Sequence, residues 1–475
     1  MTDKIRSFYE LLRNRFPFQP TLLQDAFFAQ FAQFVFKVGA KDLYVLKGYA
    51  GTGKTSLISL LVNNLHVVNF NTVLLAPTGR AAKVLSAYSG KDASTIHRKI
   101  YVSKSLKQGG VHFSLKKNKH TNTLFFVDEA SMLSDTHDFT YNGRDSSLLE
   151  DLMQYVYNEK NCKLVLIGDT AQLPPVQSAI STALNVEVLQ YKFDKKVLET
   201  ELTEVMRQEK LSGILHNATL LREQIAQKAS SKFVFEISYP DVIRLSDGYD
   251  IENTIHQSYD NWSPEDTAII VRSNKRANEY NRQIRYRILG RESDLSAGDY
   301  IMVVKNNYYW LETGSDAAFI ANGDTLEILE IYQRQELYGF HFARVKVRMI
   351  DYPNQPPVEV VLLLDTLDIN TASLGNDASQ RLYREVYKDY QHLNSKYKIY
   401  QSIKSNPYYN ALQVKFAYAV TCHKAQGGQW KHVYIEKPWL PEGENIDYWR
   451  WLYTAITRSQ EKLYLIGFQD MDFEE

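Results

Sequence analysis

Cysteine is almost missing: the 475 residues include two, Cys162 and Cys422. That is too few for a disulfide framework, and a reducing, cytoplasmic compartment suits them best. Net charge is missing as well, with 55 Lys and Arg against 55 Asp and Glu. No overall field attracts a polyanion, so any nucleic-acid partner must be held by a local basic surface. No stretch approaches the ~18 consecutive apolar residues of a membrane span. The most apolar run, Ala26 to Val38, is interrupted by Gln30, Gln33 and Lys37 and reads as a buried helix. The opening Met1-Thr2-Asp3-Lys4 lacks the apolar core of a secretory signal. Low-complexity segments and solenoid-period repeats are absent too. Membrane, disulfide-scaffold, fibrous and repeat classes are thereby excluded. What remains has 44% hydrophobic and 23% charged residues, an ordinary globular balance. At roughly 100–200 residues per domain, the length implies two to four domains.

Short apolar runs alternate with helical stretches, which predicts parallel α/β architecture. The first half offers four buried strands: Leu43 to Leu46, Thr72 to Ala76, Leu124 to Val127 and Lys163 to Ile167. Each is followed at once by a polar or glycine-rich motif: GYAGTGKT, PTGR, DEAS and GDTAQ. Ligands of open parallel sheets bind beyond the carboxyl ends of the strands, so four motifs at four strand ends describe one site. The second half repeats the scheme more weakly with Thr267 to Val271, His432 to Ile435 and Leu463 to Ile466. Between Ala297 and Leu364 alternating apolar residues and the turn Asn322-Gly323-Asp324 predict a small antiparallel β unit inserted in the second lobe. Residues Ala378 to Ile403 read as helical and rich in Tyr, Lys and Arg.

Gly48-Tyr49-Ala50-Gly51-Thr52-Gly53-Lys54-Thr55 fits G-x-x-x-x-G-K-[ST] between a strand and an apolar helix, Ser56 to Asn64. Its glycines let backbone N–H groups curl around phosphate oxygens at a helix N-terminus. The motif expects Lys54 at the β- and γ-phosphates of ATP and the Thr55 hydroxyl on Mg²⁺. Asp128, at the end of an apolar strand, is placed as the second Mg²⁺ ligand, and Glu129 beside it as the acceptor of a proton from attacking water. An isolated Asp-Glu pair is usually a solvated turn; its position behind a four-residue apolar strand, downstream of a P-loop, reverses that reading. Arginines commonly stabilise the γ-phosphoryl charge. Arg207 and Arg458, both assigned to the second lobe, are the candidates, so the nucleotide would bridge two lobes.

Together these motifs resemble the superfamily 1 helicases, specifically the RecD-like and Dda-like group that moves 5′ to 3′ on single strands. The resemblance runs in order along nearly the whole chain: Thr21-Leu22-Leu23-Gln24, the P-loop, Ala76 to Lys83, Ser94-Thr95-Ile96-His97, Asp128 to Ser131, Gly168 to Val176, Val420 to Gly427 and Tyr453 to Arg458. It implies two RecA-like P-loop lobes with parallel sheets, a β-hairpin insertion in the first and an SH3-like β-barrel insertion in the second. The expected bounds are 1–97 and 124–190 for the first lobe, 98–123 for the hairpin, 191–294 and 411–475 for the second lobe, and 295–410 for the barrel with its following helical segment. It further implies Gln24 as the adenine reader, Gly48, Ala50, Gly51, Thr52, Gly53, Lys54, Thr55 and Ser56 as the phosphate cradle, Gln172 as the γ-phosphate sensor, and Arg207 with Arg458 as phosphate-contacting arginines. Where the group carries a glutamate near the ribose, this sequence has Gly428-Gln429-Trp430; Gln429 can bond a hydroxyl but carries no charge.

Residues Arg98 to Val127 contain no Asp or Glu yet carry Arg98, Lys99, Lys104, Lys107, Lys116, Lys117 and Lys119. Such a local basic patch is what phosphate contacts require. Ile100, Val102 and Leu106 alternate on one side of Lys107-Gln108-Gly109-Gly110, and Val111, Phe113 and Leu115 on the other, a hairpin signal. Relatives carry a strand-separating pin here, which makes Phe113 a candidate for stacking at the junction; a basic solvated hairpin with Phe113 packed beneath it fits equally. The resemblance also puts Thr78, His97, Thr421 and His423 along the single-strand channel. The Tyr/Lys/Arg helix is either a further strand-binding surface or an amphipathic cover on the barrel. The expected enzyme is an ATP- and Mg²⁺-dependent DNA helicase, monomeric, acting on single-stranded and duplex DNA in repair or recombination, with no membrane. The alternatives are a P-loop phosphotransferase for a small molecule, and an inactive nucleic-acid-binding subunit.

Overall fold

The computed structural model describes residues 3–37, 42–105, 111–135, 139–141, 144–175, 178, 180–205, 212–227, 232–261, 263–311 and 319–474. Arg207 lies outside the described residues, and Phe113 is described for its backbone alone.

The first sheet is parallel and runs, edge to edge, Lys196–Leu202, Asp42–Gly48, Cys162–Gly168, Thr123–Val127, Asn71–Ala76 and Ala93–Thr95. Every residue of its two middle strands, Cys162–Gly168 and Thr123–Val127, is buried. Helices cover both faces, and that is why these strands read as unbroken apolar runs. On one face Phe27, Phe31, Leu57 and Ile58 from helices Leu22–Phe36 and Lys54–Asn64 meet Tyr44, Phe126 and Ile167. On the other, Leu149, Leu152 and Val156 of helix Leu148–Tyr157 meet Phe125, Val127 and Leu166. Helix Leu22–Phe36 is started by a capping box between Thr21 and Gln24. Its last carbonyls are closed by the buried Lys163 ammonium, which donates to Phe34 O at 2.5 Å and Lys37 O at 2.6 Å.

Lys196–Leu202 corrects the expected boundary at residue 190/191, since it pairs along its full length with Asp42–Gly48 of the first lobe. The strand is a sheet edge whose exposed Lys196, Glu199 and Glu201 break any apolar run, and sequence patterning misses such a strand.

The second sheet is also parallel: Val242–Leu245, Ser459–Ile466, Trp430–Glu436, Thr267–Val271 and Ala419–Thr421. It contains all three strands expected there. Between its parts a closed five-stranded barrel forms from Tyr300–Val303, Thr325–Leu337, Phe340–Met349, Val358–Leu363 and Leu412–Phe416. The last strand corrects the 410/411 boundary: it was expected in the second lobe, yet it pairs with both Tyr300–Val303 and Val358–Leu363. The pairing joins segments separated by the intervening helices, a non-local contact that no local pattern announces. Helices Asn376–Tyr390 and Lys396–Lys404 lie on the outside of the barrel, where Leu382, Val386, Ile399 and Ile403 pack on Phe340, Phe342, Val361 and Leu363. The cover reading of this segment therefore holds for its inner face.

The basic hairpin is present as Tyr101–Ser105 paired antiparallel with Val111–Leu115, Ser103 opposite Phe113. Ile100, expected on its first strand, instead closes the helix Ile96–Ile100. Among the described residues no helix is long and apolar enough to cross a membrane.

Candidate nucleotide site between the lobes

The carboxyl ends of the first sheet open into a cavity of about 490 Å³ whose far wall belongs to the second lobe. On the near wall are Ala50, Gly51, Gly53, Lys54, Thr55 and Ser56 of the phosphate loop, with Asp128, Glu129 and Gln172. Gln429 and Arg458 come from the far wall. Gly51 (φ 73°) and Gly53 (φ 82°) hold the left-handed backbone that turns the loop's N–H groups inward. A side chain at Gly48 would strike the Thr52 hydroxyl oxygen at 2.8 Å. Gln24 and Thr52 lie behind the lining. The Gln24 amide donates to Thr52 O at 3.1 Å and its oxygen accepts from Thr21 N–H, so the loop rests on the start of helix Leu22–Phe36. The Lys54 ammonium donates to the carbonyls of Gly48 (2.6 Å) and Tyr49 (2.7 Å).

Burial, reinforced by the neighbouring Glu129 charge, pushes the Asp128 carboxyl up to about 6. Its oxygens are held by the Tyr88 hydroxyl and by Glu129 N–H at 2.9 Å. Glu129 itself sits at φ 51°, a strained backbone for a residue with a side chain. Arg458 Nη1 lies 3.5 Å from Glu129 Oε1 and 3.3 Å from Gly428 O, while its Nε donates to Thr454 O at 3.0 Å. The guanidinium is nearly fully buried at the seam, with the acid of one lobe on one side and its own helix on the other. Gln172 lines the cavity, and its Oε1 is buried with no hydrogen-bond partner among the described residues.

The seam is fastened by groups to which the motifs assign no role. The Tyr453 hydroxyl, from helix Ile446–Ile456, donates to Asp169 Oδ2 at 2.7 Å and accepts from the phosphate-loop N–H of Ala50 at 3.0 Å. Thr454 Oγ1 accepts from Leu173 N–H at 2.8 Å, and the Gln426 amide donates to Leu173 O at 2.8 Å. Arg80 of the first lobe stacks 4.0 Å from the Trp430 ring centre of the second. Asp169 and Tyr453 stand within the quoted GDTAQ and YTAITR segments, so a signal was present. Tyr88 and Phe18, which also line the cavity, carry no motif.

The expected channel residues do not themselves line this cavity. Thr78 caps helix Gly79–Ser89 by accepting from Ala81 N–H, close beneath Gly427. His97 packs edge-on to Phe319, ring centres 5.8 Å apart, and burial lowers its pKa to about 4. Thr421 precedes the short helix Cys422–Ala425, on which His423 is exposed.

Comparison with known proteins agrees with this geometry. An AAA-domain family model matches residues 32–233, and a UvrD-like helicase C-terminal domain model matches residues 416–466. The ATP-dependent RecD2 DNA helicase of Deinococcus radiodurans is 33% identical over 29% of this chain and 17% of its own length. The ATP-dependent DNA helicase Dda of Enterobacteria phage T4 is 31% identical over 35% of each chain. The chain is similar to superfamily 1 DNA helicases of the RecD/Dda-like group in both of its lobes. An uncharacterized mimivirus protein, R530, is 24% identical over 89% of this chain and 94% of its own length, whereas the aligned parts span well under two thirds of the two named helicases. The first match contains the phosphate loop, Asp128, Glu129 and Gln172, and the second contains Gln426, Gln429, Tyr453, Thr454 and Arg458. Gln24 falls outside both matches.

Proposed function

We propose that the protein is an ATP-driven motor that moves 5′ to 3′ on single-stranded DNA and unwinds duplex ahead of it. The observation that carries this reading is the shared cavity: the phosphate loop and acidic pair come from one lobe, Arg458 and the Tyr453 hydroxyl from the other. A triphosphate held there draws on both walls, and its loss releases one from the other.

The available donors suit a magnesium nucleotide. Positive-φ glycines offer backbone N–H groups, and the Gln172 side-chain amide on the cavity wall carries an N–H₂ donor. Thr55 and Asp128 would hold Mg²⁺, which when bound neutralises charge on the β- and γ-phosphate oxygens. Lys54 supports the same oxygens. Glu129 accepts the proton of a water that attacks the γ-phosphorus, as the bond to the ADP oxygen breaks and ADP and phosphate leave. Arg458, with Arg207, stabilises the charge on the transferring group. Gln172 reports the γ-phosphate to the loop that Thr454 and Gln426 anchor, Gln24 reads the adenine side, and Gln429 bonds a ribose hydroxyl. Thr78, His97, Thr421 and His423 contact the strand, and Phe113 stacks where the duplex opens. Two buried free thiols, Cys162 and Cys422, fit a reducing cytoplasm. The motor acts as a monomer in DNA repair or recombination.

The test is ATP-dependent unwinding of 5′-tailed against 3′-tailed duplexes. Strand release from the 5′-tailed substrate alone is expected. Release from the 3′-tailed substrate alone would reverse the polarity. ATP turnover insensitive to single-stranded DNA, with neither duplex opened, would return the chain to a phosphotransferase reading.

A further inference from the structure

The barrel's helical cover has an outer face that its packing leaves unexplained. Leu382, Val386, Ile399 and Ile403 satisfy the inner face. Outside, Tyr383, Tyr387 and Tyr400 are 38%, 39% and 45% exposed, where a purely solvated face would carry charged or small polar groups. These rings are contiguous. Tyr387 and Tyr383 stand 6.4 Å apart between ring centres, and Tyr383 meets Tyr409 at 6.1 Å. The Lys404 ammonium bridges Tyr409 at 5.9 Å to Tyr400 at 5.7 Å. One ladder therefore crosses both helices with a cation set within it.

The second helix is one-sided in charge, whereas the first carries Asp377, Glu385 and Asp389 against Arg381, Arg384 and Lys388. From Tyr390 to Ile435 the sequence contains no Asp or Glu, while Lys396, Lys398 and Lys404 all belong to the second helix. On the first helix Glu385 is neutralised by Lys388 at 2.7 Å, and Asp389 accepts from the Tyr338 hydroxyl. Arg384 and Lys388 are exposed on the same helix as Tyr383 and Tyr387. Aromatic faces at regular spacing with interleaved cations are the chemistry that binds single strands: every base has a π-face to stack, and phosphates need only unspecific positive charge.

We infer that this Tyr383–Tyr387–Tyr400–Tyr409 ladder with Lys404 is a second single-stranded DNA site, separate from the inter-lobe path. It would hold a short stretch of about four nucleotides, the low end for a stacking platform. The inference rests on the reading of the chain as a nucleic-acid motor. It assigns to the barrel cover the task of keeping hold of strand already passed or not yet reached.

The test titrates fluorescein-labelled oligo(dT) of graded length into the full chain. A triple variant Tyr383→Ala, Tyr387→Ala, Tyr400→Ala is compared with the triple Phe variant and with wild type, thermal unfolding reporting integrity of each. For oligonucleotides long enough to reach both sites, the alanine variant should raise Kd about tenfold or more, since stacking on one ring is worth that much. The phenylalanine variant should stay within about twofold, because stacking does not need the hydroxyl. On the shortest oligonucleotides the three proteins should agree. Equal affinity of the folded alanine variant and wild type at every length overturns the ladder while leaving the motor reading intact. Failure of wild type to bind any oligonucleotide removes the motor reading, and the ladder falls with it.

Discussion

The two walls of the nucleotide cavity are built on different plans. The first-lobe wall is a set of contiguous strand-end motifs, its polar atoms largely held by their own lobe: Lys54 by Gly48 and Tyr49, Asp128 by Tyr88 and Glu129 N–H, Gln24 by Thr21 and Thr52. The second-lobe wall consists of a few side chains reaching across. Tyr453, Thr454, Gln426 and Arg458 each bond an atom of the opposite lobe. On the proposed reading the first wall would hold the chemistry in place, and the second would make it depend on how the lobes sit. Variants of the two walls should therefore fail differently.

The largest effect is expected for Arg458→Ala. On the proposed role of Arg458 in stabilising phosphoryl charge, its loss should lower ATP turnover on the order of 10³-fold or more while leaving nucleotide binding measurable. Steady-state ATPase rates check it. Glu129→Gln, on the first wall, should cost on the order of 10²–10⁴-fold in turnover and leave ATP and strand binding near wild type, because only the proton acceptor is removed. A normal hydrolysis rate would assign the base elsewhere. Tyr453→Phe sharpens the comparison most. It deletes two hydrogen bonds across the seam, each worth about 1 kcal/mol, and keeps the ring packing. The expected result is a drop of about tenfold in DNA-stimulated turnover, with the unstimulated rate less affected. Equal loss in both rates would make Tyr453 a structural group only.

The smallest effect concerns His97. Its folded-state pKa is lowered to about 4 from 6.5, so the unfolded chain takes up the proton first as the pH falls. The stability tied to its neutral form is present above pH 6.5 and is lost progressively toward pH 4. His97→Gln should flatten that part of a denaturation-midpoint against pH curve; an unchanged slope would show that the ring titrates normally.

The same contrast explains how much was legible in the sequence. Gly48 to Thr55, Asp128-Glu129 and the four buried strands were readable because each is a local pattern: spacing, an apolar run, a carboxylate at a strand end. The sequence pattern does not place Lys196–Leu202 or Leu412–Phe416 in the right unit, because strand partners are chosen by non-local pairing and an edge strand with alternating charge has no apolar signature. Tyr453 stood in a quoted motif, but its role arises only when helix Ile446–Ile456 meets the phosphate loop. The Tyr88 contact to Asp128 had no sequence signal at all, a single tyrosine at the end of a helix. The helical cover was half readable: its amphipathic spacing announced an inner face, whereas the ring ladder needs two helices brought side by side.

The central claim is that a triphosphate fastens the lobes together and its hydrolysis lets them part. Förster transfer between dyes at Tyr191→Cys on the first lobe and Tyr249→Cys on the second tests it directly. Those positions are 89% and 79% exposed, and the native Cys162 and Cys422 are buried. A nonhydrolysable ATP analogue with Mg²⁺ should give higher transfer than ADP with Mg²⁺; identical transfer in the two nucleotide states would contradict the account.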